Sequence, residues 1–81
     1  MNREVAKFLR FLVVLDGRTR PACRNILGKS PATISRYLAT ARALGVTYEW
    51  DRWTAKYRVT HYGPFDIQAL RRVRWPARER A

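Results

Sequence analysis

Val5, Phe8, Leu9, Leu12 and Leu15 recur at three- and four-residue steps, with Arg3, Lys7 and Arg10 between them. That spacing predicts an amphipathic helix beginning near the N-terminus. Asp16-Gly17 stops it, because glycine enters the left-handed conformation common at helix ends without a steric penalty. Phe11, Val13 and Val14 widen the apolar surface beyond one stripe, and this surplus serves either the core or contact with a second copy of the chain.

A second, short helix follows, with Thr19 as its cap and Pro21 in the first turn, where a missing N–H would be unpaired anyway. Ala22, Cys23, Ile26 and Leu27 form its inward face and Gly28 ends it. Ser30-Pro31 opens a third helix by the same logic. Ile34, Tyr37, Leu38, Ala41 and Leu44 mark its inner side, and Thr33, Ser35, Arg36, Ala39, Thr40 and Ala43 occupy the rest before Gly45.

The period then shortens to two. Val46, Tyr48 and Trp50 alternate with Thr47, Glu49 and Asp51, and Tyr57, Val59 and His61 alternate with Arg58, Thr60 and Tyr62, so a β-hairpin is predicted. Trp50, in phase with Val46 and Tyr48, is expected in the core, and Trp53 at the exposed tip. The link Arg52-Trp53-Thr54-Ala55 has no glycine, which disfavours a two-residue turn and predicts a looser loop. After Gly63-Pro64, Asp66 is placed to cap a last short helix carrying Ile67, Leu70 and Val73, with Trp75 docked beside it. The expected organisation is one α+β domain over residues 1–75 and a charged tail over 76–81.

Charge alters the picture most. Seventeen basic against six acidic residues give a net +11, an excess that repels itself and favours a polyanionic partner. Arginine outnumbers lysine 14 to 3, and its rigid fork suits phosphates and guanine edges. No apolar run approaches the ~18 residues a membrane span needs, and Glu4, Lys7 and Arg10 interrupt any secretory pattern, so a cytoplasmic, nucleoid-associated protein without a membrane partner is expected.

Cys23 and His61, the lone residues of their kinds, cannot make a disulfide or a structural zinc site between them. Gly28-Lys29-Ser30 looks like the end of a phosphate-binding loop, but Cys23 stands where the upstream glycine is required. Nothing supports a catalytic triad or an acid–base pair. No enzyme activity, cofactor or metal is expected.

The order helix, helix, tight turn, helix, hairpin resembles the winged helix-turn-helix. Within it, Leu27-Gly28-Lys29-Ser30, Thr33-Ile34-Ser35-Arg36-Tyr37-Leu38 and Ala43-Leu44-Gly45-Val46 look like the DNA-binding domain of DeoR-type bacterial regulators over residues 3 to about 62. The chain departs from that pattern at Arg24, Lys29, Tyr37 and Ala41, and it has no room for an effector domain. The resemblance implies a free-standing, repressor-like regulator, of a size common among phage- and plasmid-borne proteins. It also implies a third helix that enters the major groove of double-stranded DNA.

On that reading Ser30, Ala32, Thr33, Ser35 and Arg36 meet base edges, with Arg36 the first candidate for a bidentate guanine contact and Ser30 doubling as a cap. Tyr37 faces the core. Arg18, Arg20, Arg24 and Lys29 bracket the second helix and turn as phosphate grips, and Arg52, Trp53, Lys56 and Arg58 place the hairpin on a minor groove or a neighbouring phosphate. Three alternatives stay open: a protein-interaction or inhibitor module, a non-specific nucleic-acid binder, and a single-strand binder that stacks bases on Trp50, Trp53 and Trp75.

Overall fold

A computed structural model describes residues 3–74. Residues 75–81, including Trp75, Pro76 and the charged tail, lie outside the described residues. The elements run α1 (Arg3–Leu15), α2 (Arg20–Leu27), α3 (Pro31–Ala43), β1 (Thr47–Asp51), β2 (Lys56–His61) and α4 (Ile67–Arg72). Three helices are thus followed by a two-stranded antiparallel hairpin and a short helix, a small α+β domain. No helix among the described residues is long and apolar enough to cross a membrane.

Local chemistry explains where the helices start. Thr19 Oγ1 accepts from the Ala22 N–H at 3.2 Å, Ser30 Oγ from the Thr33 N–H at 3.3 Å, and Asp66 Oδ1 from the Ala69 N–H at 3.1 Å. Each capping side chain satisfies an N–H that the helix leaves unpaired. Prolines in the first turns of α2 and α3 add a preset φ.

The core joins α1 to everything else. Phe8, Phe11, Leu12, Val14 and Leu15 of α1 are buried with Cys23 of α2, Ile34, Tyr37, Leu38 and Ala41 of α3, and Val46. Phe8 meets the rings of Tyr37 and Phe65 edge-on at 5.7 and 6.2 Å, which brings the segment before α4 onto the same core. Phe11 and Val14 are therefore core residues rather than a surface for a second copy, because α1 is packed by α2, α3, β2 and α4 together and needs a broad apolar face. Val13 is half-buried.

Three expected core positions lie outside it. Val5 is exposed, since the buried face of α1 begins one turn later at Phe8. Leu44 is 47% exposed while Val46 is fully buried. The cause is the way α3 ends: the Val46 N–H donates to the Ala41 carbonyl at 2.9 Å and the Gly45 N–H to Arg42 at 3.1 Å, with Gly45 at φ +97. This Schellman arrangement turns the chain through the left-handed glycine and packs the residue after it against the last helical turn. Val46 takes that seat and Leu44 is left outside.

Trp50 is the third, at 48% exposure. It shares a face with Tyr48, but Tyr48 and Tyr57 pack against the core while the Trp50 ring meets that of Tyr57 edge to face at 5.1 Å, one step beyond it. The hairpin itself is tied to the α1–α2 turn. The Gly17 N–H donates to the Tyr57 carbonyl at 2.8 Å, the Tyr57 N–H to the Arg18 carbonyl at 2.9 Å, and the Val59 N–H to Asp16 Oδ1 at 2.9 Å. These bonds occupy the edge of β2 that β1 leaves open.

Candidate nucleic-acid interface

Burying Ile34, Tyr37, Leu38 and Ala41 forces the rest of α3 outward, so Ala32, Ser35, Arg36, Ala39, Thr40 and Ala43 are all exposed. Thr33 is half-buried, and its hydroxyl lies 3.1 Å from that of Ser30. Ser30 is thus spent as a cap. Arg36 in the first half and Arg42 near the end are the long side chains on an exposed side of α3 that is otherwise small: alanine, serine and threonine, with Pro31 at its start. Such a strip lets another molecule approach the helix backbone closely.

Arg20 connects this strip to the hairpin. Its Nε donates to the Tyr57 hydroxyl at 3.0 Å and its Nη1 to Ser35 Oγ at 3.3 Å, so one guanidinium at the start of α2 touches both β2 and α3. Farther along α3, the Arg42 guanidinium lies over the Tyr48 ring, 4.7 Å from its centre, and the Tyr48 hydroxyl donates to the Leu38 carbonyl at 3.1 Å. The Ser35 edge of α3 and the Tyr48–Trp50–Tyr57 face of the hairpin therefore open on the same side. Arg42, Tyr48 and Tyr57 were not among the residues expected here, and Trp50 was expected only in the single-strand alternative. Arg42 had a signal: with Ser35 and Ala39 it completes a four-plus-three spacing along one edge of α3.

The other basic residues divide. Arg18 is exposed, but its Nη1 donates to the Val14 carbonyl at 3.0 Å and so closes the end of α1. Arg24 is half-buried in α2, and Lys29 half-buried in the turn. Arg52 and Lys56 are exposed at the hairpin tip. Arg58 is exposed on the opposite face, with Nη1 3.7 Å from Asp51 Oδ2.

The three aspartates serve the backbone. Asp16 holds β2, Asp66 caps α4, and Asp51 shapes the hairpin loop by accepting from the N–H groups of Trp53 at 2.9 Å and Thr54 at 3.4 Å. The Trp53 N–H above all, with Thr54 and Arg58 adding to it, holds the Asp51 carboxyl below the usual carboxylate range. The loop closes with an Ala55 N–H to Asp51 carbonyl bond of 2.8 Å and puts Ala55 at φ +56, the left-handed turn residue that a glycine would ordinarily supply. Trp53 stands at its tip, 97% exposed. Cys23 is fully buried, and burial pushes its thiol up, so it remains a protonated core residue at neutral pH.

Beside the hairpin, Asp16, Gly17, Asp51, Thr54, Lys56 and Arg58 line an open hollow of about 300 Å³ with charges of both signs. Compared with known proteins, the chain matches no family model, no curated protein and no solved structure.

Proposed function

We propose that this protein is a winged helix-turn-helix module of the DeoR-like kind that binds double-stranded DNA by sequence and regulates transcription by occupying its site, without catalytic activity. In this reading α3 is the recognition helix and the hairpin is the wing. The observation that carries it is the Arg20 bridge: the same guanidinium engages Ser35 on the exposed strip of α3 and Tyr57 on the hairpin. The exposed strip of α3 and the aromatic face of the hairpin thereby form one surface, with Arg52 and Lys56 exposed at the hairpin tip, on a molecule of net charge +11. Small side chains on α3 allow it to sit deep in a major groove, and Arg36 reaches from its first half toward base edges.

Selection of bound sequences from a random duplex pool tests partner and specificity together. The expected outcome is enrichment of a short motif. Arg36→Ala should then relax preference at one base pair, at a cost of about 1–3 kcal/mol against the preferred duplex and little against random duplex. A pool that returns unenriched, or an Arg36→Ala protein with an intact specificity ratio alongside the wild type's motif, contradicts this assignment of α3 and Arg36 as the base reader.

A further inference from the structure

Trp53 is the most exposed large apolar residue of the described chain, yet the backbone that carries it is fixed. Asp51 Oδ1 takes its N–H at 2.9 Å, the Asp51 carbonyl takes that of Ala55 at 2.8 Å, and Ala55 accepts a left-handed conformation to close the loop. The Asp51 carboxylate is in turn 3.7 Å from Arg58 across the hairpin. A loop of four residues thus holds an indole, about 150–250 Å² of aromatic surface, almost wholly in water. Its neighbours Arg52 and Lys56 are exposed and cationic. An aromatic face flanked by cations is suited to a ligand that offers phosphates and π-faces together, which is a nucleic acid.

From this arrangement, and resting on the duplex-binding reading above, we infer that Trp53 is a wedge: the hairpin tip enters the duplex at a deformable step beside the site read by α3, and the indole stacks on a base that it partly unstacks. A duplex rather than a single strand is favoured because the tip carries one aromatic ring. Trp50 and Tyr57 meet edge to face at 75°, with the Tyr57 hydroxyl taken by Arg20, so these two rings do not form the successive parallel platforms that a single strand follows. Pyrimidine–purine steps, TA and CA, part most easily and are the chemical class of site expected.

The test uses the full chain with a duplex rich in TA and CA steps, at low salt, where the protein's charge favours occupancy whether or not a motif is present. Permanganate oxidises unstacked thymines. With the wild type, a thymine at one such step should become reactive. Trp53→Ala should abolish that reactivity and weaken binding about 5- to 150-fold, the range that loss of one base–aromatic stack implies. It should leave the salt dependence unchanged, since no cation is lost. Trp53→Phe should retain part of both effects. Being exposed, the indole can be removed without touching the core.

Duplex binding by Trp53→Ala equal to that of the wild type, or a wild-type complex in which every thymine stays protected, overturns the wedge and leaves the duplex-binding reading standing. Tighter binding to the matching single strand than to the duplex overturns it in favour of a stacking platform. No binding to any duplex at low salt removes both readings at once.

Discussion

At Gly63 the chain passes so close to Gly45 that a Cβ would sit 2.8 Å from the Gly45 carbonyl carbon and 2.9 Å from its oxygen, both of them backbone atoms. Gly63 also has φ +62, so a side chain there meets a conformational and a steric penalty together. Gly17, at φ +77, offers the conformational penalty alone, because a Cβ there meets nothing within 4 Å. Gly17→Ala is expected to cost about 1–2 kcal/mol, the ordinary price of the left-handed region for an L-residue. Gly63→Ala should cost clearly more, because the crossing of the α3 exit over the β2 exit must open. Denaturant midpoints of the two variants measure the difference directly, and equal midpoints would show that the two segments do not cross this closely. In the sequence Gly63 reads only as a turn signal beside Pro64; its partner lies eighteen residues upstream, and nothing local announces it. Arg20 is the same case at the candidate site. Its charge is visible, but its two acceptors stand 15 and 37 residues away and are fixed only by packing.

The helices were the legible part, because caps and stripes are local. Thr19, Ser30 and Asp66 announce their helices by side chains that can reach their own first-turn N–H groups, and the structure uses all three. The inner stripe of α3 is likewise correct at Ile34, Tyr37, Leu38 and Ala41. It fails at Leu44, where helical phase continues on paper while the Schellman turn has already redirected the chain. Trp50 fails for a related reason: alternation identifies which face of a strand a residue shares, but not how far along the strand the buried core extends. For α3 the sharpest test is Leu38→Ala. Leu38 is 3% exposed, in a domain too small for the remaining core to compensate, so a loss of about 2–5 kcal/mol is expected and would unfold much of the population. An unchanged melting midpoint would mean that α3 packs by another face, and with it that Arg36 and the exposed strip are misplaced.

For the whole molecule, what matters is the excess of cations, which are spread over the turn, α3 and the hairpin, while Asp16, Asp51 and Asp66 bond to backbone N–H groups. With seventeen basic against six acidic residues the excess of +11 stays whatever pairs form, and phosphate neutralisation with release of bound counterions should dominate the affinity. Arg36 and Arg52 ought to behave differently under that regime. A groove-reading arginine sets the gap between preferred and random duplex, whereas Arg52→Ala should weaken both alike and lower the salt slope by about one unit. The most direct test of duplex DNA as the partner is thus the binding constant of the wild-type protein for duplex across a salt series from low to physiological. Neutralisation of about five phosphates predicts a log–log slope near −4 to −5 per protein. A protein partner would give a far shallower dependence, so duplex affinity that stays flat across the series would contradict the account.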